Sequence, residues 1–343
     1  MLWVPALVAA SAAAVFPGVQ PQLAAAGDQV FLAFAQDNVI SVVTSRDDGQ
    51  TFGQPVRITV PGRMSLGSHR GPRIAATGRV VMVSAVAGAR GGGADGDLLL
   101  FRSMDHGATW GAPVVINDVP GAAREGLHAF AAEPNGLVVL AWLDLREAGT
   151  RIFSAVSRDH GATWSPDELI YASPSGSVCE CCHPSIALGS GAGGRGRAIM
   201  FRNNINGNRD MYVVRSVDGV SYTPAQKSGV GSWTLNACPM DGGAVVLDGR
   251  DAVSVWRREN GIYLATLGQS EQRIGTGRDP ALAQAGSHRD IVWSSSAGIM
   301  LIQDADPPET LGPGRFPALV ALDHRTVVAW EHQGAVSVVT IAR

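Results

Sequence analysis

Cysteine residues, which bind metal ions or take part in redox chemistry, are concentrated at two points of this 343-residue sequence, one of which also contains a histidine. Three of the four cysteines lie in Cys179-Glu180-Cys181-Cys182-His183-Pro184, and the fourth is in Cys238-Pro239-Met240. Thiolate, imidazole and thioether donors together favour copper, and the same set without the methionine favours zinc. Two disulfide bridges, or buried free thiols, are the alternatives that the spacing leaves open.

A repeated pattern, S-x-D-x-G-x-T-aromatic, indicates which elements position these residues. Full copies begin at Ser45, Ser103 and Ser157, and a shorter copy begins at Ser216. The aspartates of the four copies are Asp47, Asp105, Asp159 and Asp218. They recur roughly every 55 to 60 residues, which is typical of a repeat architecture.

This repeated pattern resembles the Asp box, or BNR repeat, of the sialidase-like β-propellers. The resemblance implies that each box lies on the turn between the third and fourth strands of a blade, on the rim away from the active site. The aspartate and hydroxyl side chains are expected to bond the backbone of their own turn, and the aromatic ring is expected to pack between sheets. The four aspartates are therefore structural candidates and not catalytic ones.

Composition and strand signals favour the same all-β fold. The sequence is 45% hydrophobic and 17% charged, with 42 glycines, and no segment shows a sustained helical period. The repeats align on the head of each first strand, at Pro21, Pro72, Ala129, Pro184, Pro239, Pro280 and Pro317. This alignment predicts one propeller domain over 13–343 with seven four-stranded blades, and six blades are the alternative.

The two ends of the chain are expected to share a blade. The final repeat, from Pro317 to Arg343, has room for only three strands. The segment around Val15 is therefore predicted to supply the fourth strand and close the ring. Residues 1–12 resemble a signal-peptide remnant, too short to span a bilayer, with an apolar first strand as the alternative. This segment and the cysteines favour a secreted or periplasmic location.

The same alignment places residues of metal-binding type at one level around the central axis. The residues directly before the aligned positions in blades three to six are His128, His183, Cys238 and Asp279. Together with Met240, or with Cys179, Cys181 or Cys182, they form the predicted metal site, with copper favoured over zinc. An open coordination position would support redox or Lewis-acid chemistry, and a closed one would support storage, transport or bracing.

A second polar group is expected on the same face of the propeller, on loops that enter first strands or join second and third strands. Its members are His69, Arg70, Arg73, Asp144, Arg146, Arg202, Asn203 and Arg209. Arginine and asparagine at a channel mouth suit an anionic or hydroxylated ligand, such as a small molecule or a glycan. Ion pairs between neighbouring blades are the structural alternative for each of these residues.

The catalytic residues that the family resemblance implies are not matched residue by residue. Sialidases of this fold use an arginine triad and a tyrosine nucleophile near the chain end, but no tyrosine follows Tyr263 here. The nearest match to the first arginine motif is Arg73-Ile74-Ala75, without the family's proline. A carboxylate pair is the other route to glycoside hydrolysis, with Glu125, Asp144, Glu180 and Asp241 as candidates.

A non-catalytic binding propeller is a further alternative to an enzyme, because many Asp-box repeats serve as scaffolds. The net charge of −3 gives no electrostatic reason to expect nucleic acid as a partner. The sequence does not predict an oligomeric state.

Overall fold

The computed structural model describes residues 14–189 and 196–343. Within these ranges the chain forms 29 β-strands in seven sheets. The sheets are arranged as a ring of blades, so the predicted all-β, seven-bladed propeller is confirmed and six blades are excluded. The described residues contain no helix that is long and apolar enough to cross a membrane. The predicted signal-peptide remnant, residues 1–12, lies outside the described residues.

The strands are numbered along the chain, and the first one belongs to the last blade. It is β1 (Ala14–Pro17). Blade 1 consists of β2 (Val19–Ala26), β3 (Gln29–Gln36), β4 (Val39–Ser45) and β5 (Val56–Thr59). Blade 2 consists of β6 (Arg63–Met64), β7 (Arg73–Thr77), β8 (Val80–Gly88), β9 (Asp97–Ser103) and β10 (Val114–Val115). Blade 3 consists of β11 (His128–Ala132), β12 (Val138–Asp144), β13 (Arg151–Ser157) and β14 (Glu168–Tyr171).

The remaining blades follow the same antiparallel order. Blade 4 consists of β15 (Ser185–Gly189), β16 (Gly196–Arg202), β17 (Met211–Ser216) and β18 (Gln226–Lys227). Blade 5 consists of β19 (Gly243–Asp248), β20 (Asp251–Arg258), β21 (Gly261–Thr266) and β22 (Gln272–Thr276). Blade 6 consists of β23 (Arg278–Ala285), β24 (His288–Ser295), β25 (Gly298–Gln303) and β26 (Glu309–Gly312). Blade 7 consists of β27 (Arg315–Ala321), β28 (Arg325–His332), β29 (Ala335–Ala342) and β1.

The hydrophobic core lies between the blades. Every residue of β12 is buried, because this second strand is covered by neighbouring sheets on both faces. Met82 of blade 2 and Trp142 of blade 3 belong to one such cluster, and both are 0% exposed. A strand buried on both faces carries a continuous apolar run in place of an alternating one. The apolar second strands therefore position the first strands around the axis.

The chain ends close the ring as predicted. β1 pairs antiparallel with β29, with Ala14 opposite Val338 and Phe16 opposite Val336. The Phe16 ring also stacks on Phe34 of blade 1, with 5.5 Å between ring centroids. The last blade is therefore built from both ends of the chain, and its outer edge is covered by β1.

The four repeated turns connect the third and fourth strands of blades 1 to 4. In the first of them, Ser45 Oγ donates to Asp47 Oδ1 at 2.7 Å, and Asp47 also accepts from the Thr51 amide and hydroxyl at 2.9 and 2.6 Å. Gly49 adopts a φ of 81° and donates its amide to Ser45 Oγ. Asp105 and Asp159 make equivalent bonds, and Asp218 in the shorter turn accepts from Ser216 Oγ and from the Val220 and Ser221 amides. Each aspartate thus stabilises its own turn between a third and a fourth strand, and none belongs to the segments that begin the first strands.

One predicted blade start is displaced. The first strand of blade 5, β19, begins at Gly243 and not at Pro239. The chain between β18 and β19 runs as a long irregular segment, so its proline marks a loop and not a strand head. Cys238 is consequently exposed and lies outside the ring of first-strand heads. The structure also adds a strand that the repeats did not predict, because β6 pairs with β8.

Candidate functional site on the axial face

A cavity of about 210 Å³ lies on the propeller axis. Its walls include aliphatic side chains of the first strands, among them Leu23, Val245, Leu282 and Leu319. Four ionisable residues also line this axial pocket: His69, Arg73, His183 and Asp279. They come from blades 2, 4 and 6, and three of them directly precede or enter a first strand. The pocket therefore combines an apolar channel with a small polar group from non-adjacent blades.

His69 is held over the axis by a strained turn. Ser68 and His69 have φ values of 49° and 69°, and the Arg70 amide donates to Gly67 O at 3.0 Å. Two consecutive left-handed residues are usual for Asn-Gly in tight hairpin turns. For other residues this conformation is unfavourable by roughly 1–2 kcal/mol each. Arg73 stabilises the turn by donating from Nη2 to the His69 carbonyl at 2.5 Å. Backbone strain of this kind concentrates at functional sites.

The His69 ring bonds Asp279 across the axis. The distance between His69 Nε2 and Asp279 Oδ1 is 2.9 Å, and the Asp279 side chain is 1% exposed. Since a carboxylate accepts, the bond assigns the proton to Nε2 and leaves Nδ1 as a proton acceptor. Among the described contacts, none engages Nδ1 of His69. The pair is thus a histidine oriented by a carboxylate, which is the arrangement of a general base.

Asp279 reaches the axis because of a β-bulge. Its φ is 55°, and the register of β23 against β24 shifts between Arg278 and Ala281. Gln20 and Phe316, at the matching positions of blades 1 and 7, have φ values of 55° and 52°. Bulges aim a side chain away from the regular alternation of a strand. A shared sequence signal precedes all three, because a glycine stands two residues before each of them.

The electrostatics of the pocket follow from burial and from the neighbouring charges. Burial raises the pKa of Asp279, but the hydrogen bond and charge of His69 and the charge of Arg278 outweigh it, so the net pKa lies below the ordinary value. Burial, followed by the charges of His69 and Arg73, lowers the pKa of His183 well below its usual range. His183 Nδ1 is buried without a hydrogen-bond partner. The pocket therefore holds one ionised carboxylate and a neutral His183.

The predicted axial metal ligands are not brought together by the structure. His128 is 0% exposed and turned between blades, with Nε2 2.9 Å from Ser84 Oγ. Its pKa is lowered to about 3 by burial and by the charge of Arg73. Cys238 is exposed outside the ring, and Asp279 is bonded to His69. Only His183 and Asp279 of the predicted four line the axial pocket.

Most of the predicted ligand-binding residues are held in internal pairs. Arg70 bonds Glu125, and Arg146 bonds Asp144, Asp118 and Asp167. Arg202 is 1% exposed and pairs with Asp241, and Asn203 donates to the Tyr171 hydroxyl. Arg209 donates to the Cys179 sulfur. Of this group, only His69 and Arg73 reach the pocket, and the others take the structural role that was the alternative.

Sequence reasoning missed two paired residues beside the axis. Glu331 of blade 7 accepts from the Gln20 amide at 3.3 Å and from Arg315 Nη2 at 2.6 Å. Trp233, in the irregular segment before blade 5, lies under the Arg202 and Arg257 guanidinium groups, with its ring centroid 5.4 and 5.2 Å away. Neither residue carries a local signal, because each is defined by contacts from another blade.

Three cysteines form a buried cluster beside the axial pocket. The Cys179 sulfur lies 3.6 Å from that of Cys181 and 3.0 Å from that of Cys182, and the last two are 3.9 Å apart. Their residues are 0%, 6% and 1% exposed, respectively. Neighbouring thiols lower the pKa of Cys179 to about 2, and burial raises that of Cys182. Met240 packs against this cluster. The three thiols therefore form a site that is separate from the axial histidines.

Comparisons with known proteins agree with the fold. No protein-family model and no curated protein matches the chain. Among solved structures, an α-L-arabinanase of Penicillium chrysogenum complexed with arabinobiose aligns over 95% of this chain and 93% of its own, with 15% identity and a TM-score of 0.58. A PL25 ulvan lyase bound to -[GlcA(1-4)Rha3S]- aligns over 95% and 94%, with 10% identity and a TM-score of 0.60.

A sialidase of Trypanosoma rangeli aligns over 95% of this chain and 53% of its own, with 14% identity and a TM-score of 0.49. At these identities the likeness to the arabinanase and the ulvan lyase shows a shared propeller fold. Function has to be argued from the site itself.

Proposed function

We propose that the protein is a carbohydrate-active enzyme that cleaves a glycosidic bond at the axial pocket, with His69 as the proton-transferring residue. The observation that carries this proposal is the His69–Asp279 pair, which a strained turn and a β-bulge bring together from blades 2 and 6. Support for the substrate class comes from the arabinanase and the ulvan lyase, whose structures contain bound saccharides and share this fold.

The pocket is suited to a single sugar residue of a longer chain. Its volume of about 210 Å³ is below the 300 to 1,000 Å³ of drug-sized ligand sites. His69, Arg73, His183 and Asp279 offer hydrogen bonds to sugar hydroxyls, and the aliphatic side chains of the first strands offer apolar contacts to the sugar ring. Arg278 and Arg315, whose side chains are 50% and 65% exposed, flank the axis and would contact the remainder of the chain.

The candidate carboxylates do not provide the two free carboxyl groups that a carboxylate-pair mechanism requires. Asp144 and Asp241 are buried and bonded to arginines, Glu125 is paired with Arg70, and Glu180 is exposed. Asp279 is the one carboxylate among the residues that line the described pocket, and it is committed to His69. Histidine exchanges protons near neutral pH, so an imidazole oriented by a carboxylate can accept a proton from substrate or water.

We also propose that the four repeated turns are true Asp boxes and that the protein is secreted. The bonds of Asp47, Asp105, Asp159 and Asp218 within their own turns support a structural role for the motif. A secreted location fits a protein that meets polysaccharides outside the cell. Detection of the native protein in the culture medium or the periplasm tests this location.

The test of the activity is a panel of polysaccharides and synthetic glycosides, including arabinan, ulvan and a sialoside. Release of reducing ends reports any cleavage, and ultraviolet absorbance of unsaturated products reports elimination only. His69→Gln is expected to lower kcat/KM on the order of 10²- to 10⁴-fold, the range of general base catalysis. His288→Gln is the matched control, because His288 lies on the surface and pairs with Asp304. Cleavage that is unaffected by His69→Gln would contradict the assigned role.

A further inference from the structure

The CxCC segment gathers three thiols that the proposed carbohydrate chemistry does not use. Cys179, Cys181 and Cys182 lie within three positions of one another in the sequence, and all three are buried. Their sulfur atoms lie within 4.8 Å of one another. We propose that these three cysteines bind one copper(I) ion as thiolates, at a site beside the axial pocket and distinct from it.

The distances between the three cysteine sulfur atoms fit coordination of one shared metal ion. Three sulfurs at the usual metal–sulfur distance of about 2.3 Å around one trigonal ion lie about 4 Å apart. The measured separations of 3.6 and 3.9 Å are close to this value, and the Cys179–Cys182 separation of 3.0 Å widens by a small side-chain rotation. A disulfide would require about 2.05 Å between two of the sulfurs.

The donor set selects a soft, low-coordinate ion. Thiolate ligands favour copper(I) and zinc among the common metal ions. Structural zinc sites are closed by four protein ligands, but among the described residues only Cys179, Cys181 and Cys182 place their ligand atoms within 4.8 Å of one another, and the exposed Cys238 thiol approaches Cys181 from outside this group. The Met240 side chain packs against the cluster, so it places a polarisable thioether sulfur, and not an oxygen ligand, beside the three thiols. Three convergent sulfurs, with no fourth ligand atom equally close to all of them, therefore favour copper(I) over zinc.

Two arginines compensate the charge of the bound state. Binding releases to solvent the protons that the thiols still carry, and the resulting three thiolates and one copper(I) ion have a net charge of −2. Arg209 Nη1 donates to the Cys179 sulfur at 3.3 Å, and the buried Arg202 guanidinium acts on Cys179 and Cys182 through its charge. Positive charge next to a thiolate cluster stabilises the ionised form that binds metal.

The site also connects to the axial pocket through the chain. His183 follows Cys182 directly, and its side chain lines the pocket. A metal that holds Cys182 would thereby fix the backbone that positions His183. Copper binding is therefore expected to raise the unfolding temperature as well as to occupy the thiols.

The test is a titration of the reduced full-length protein with copper(I) under anaerobic conditions, in competition with a chromophoric copper(I) chelator. One equivalent is expected to bind, with appearance of the ultraviolet charge-transfer absorption of copper(I) thiolates. Zinc, titrated in parallel, is expected to bind more weakly than copper(I). Thiol counting in denaturant is expected to find four free thiols in the metal-free protein.

Substitutions test which residues bind the copper(I) ion. Cys181→Ser and Cys182→Ser are each expected to weaken copper binding more than about 100-fold, beyond the 10- to 100-fold effects of residues around a ligand shell. Arg209→Gln should weaken it about 10-fold, whereas Arg215→Gln, which removes a half-buried arginine bonded to the Arg250 carbonyl, should leave it unchanged. Cys238→Ser removes an exposed thiol that approaches Cys181 but is not one of the three convergent sulfurs, so it should weaken copper binding far less than Cys181→Ser or Cys182→Ser does.

Several results would overturn the proposal. A disulfide between two cysteines of the cluster, or the absence of copper binding by a protein with four free thiols, rejects the site. Tighter binding of zinc rejects the choice of metal, and loss of the equivalent in Cys238→Ser rejects the three-thiolate ligand set. If Cys182→Ser does not fold, the copper(I) affinities of Arg209→Gln and Arg215→Gln still test the site, and equal affinities of the two variants would reject it. Polysaccharide cleavage is measured separately, so failure of one proposal leaves the other to its own test.

Discussion

Lowering the pH from 7 to 5 is expected to destabilise the propeller through His128. This histidine is 0% exposed between blades 2 and 3, and its ring bonds Ser84 Oγ. Burial and the Arg73 charge lower its pKa in the folded protein to about 3, from an ordinary value of 6.5. The unfolded chain therefore binds a proton below pH 6.5 that the folded protein does not, and stability falls as the pH falls towards 3.

The size of the effect follows from the two pKa values. With 1.36 kcal/mol for each pKa unit, the free energy of unfolding should fall by about 2 kcal/mol between pH 7 and pH 5 on account of His128 alone. Continued acidification would remove at most about 5 kcal/mol, the full difference between the two pKa values. The pKa of His183 is lowered for the same first reason, burial, so His183 adds to the loss in the same direction.

The assay is urea unfolding followed by tryptophan fluorescence at several pH values, with reductant and chelator present throughout. The eight tryptophans of the chain provide the signal. His128→Gln is expected to be less stable than the wild type at pH 7 and to lose about 2 kcal/mol less between pH 7 and pH 5. His288→Gln, at the surface, should retain the wild-type pH dependence. A His128→Gln variant with the wild-type slope would refute the reasoning.

Two further predictions concern the joint between blades 1 and 7, and both are measured as free energies of unfolding in urea. Gly49→Ala should cost about 2 kcal/mol or more, because Gly49 has a φ of 81° and an added Cβ would lie 2.5 Å from Val327 Cγ2. Gly27→Ala, with a φ of 63° and no atom within 4 Å of the added Cβ, should cost only about 1 kcal/mol. Equal costs of Gly49→Ala and Gly27→Ala would show that the contact with Val327 does not destabilise the protein. Phe16→Ala should cost about 2 kcal/mol by weakening the closure of the ring, and Val15→Ala, at a residue 60% exposed, should change stability by less than about 0.5 kcal/mol. Similar losses in Phe16→Ala and Val15→Ala would show that β1 does not stabilise the joint through its ring.

The local sequence was sufficient for the fold. Turn chemistry is local, so the aspartates of the repeated turns could be recognised from a few residues, and their spacing defined the blade period. Ring closure by the segment around Val15 followed from counting strands in the last repeat, and β1 pairs with β29 as expected. The start of blade 5 was misplaced because a proline before a strand and a proline in a loop look alike in sequence.

The candidate sites were decided by tertiary structure. Residue types alone suggested one metal site that joined His128, His183, Cys238 and Asp279, but the folded chain separates the imidazoles and the carboxylate from the cysteines. The pairing of His69 with Asp279 depends on a turn in blade 2 and a bulge in blade 6; a glycine precedes the bulge in the sequence, but no local pattern specifies that the two side chains meet.

The sequence by itself therefore determined the period and the closure of the ring and favoured seven blades over six, because these depend on interactions between residues close along the chain or on the count of strands. Only the tertiary structure decided which side chains meet. Most candidate arginines could be assigned to internal ion pairs only once the neighbouring blade was in place. Contacts around the propeller axis join residues from different blades, and their geometry is fixed by how the sheets pack against one another.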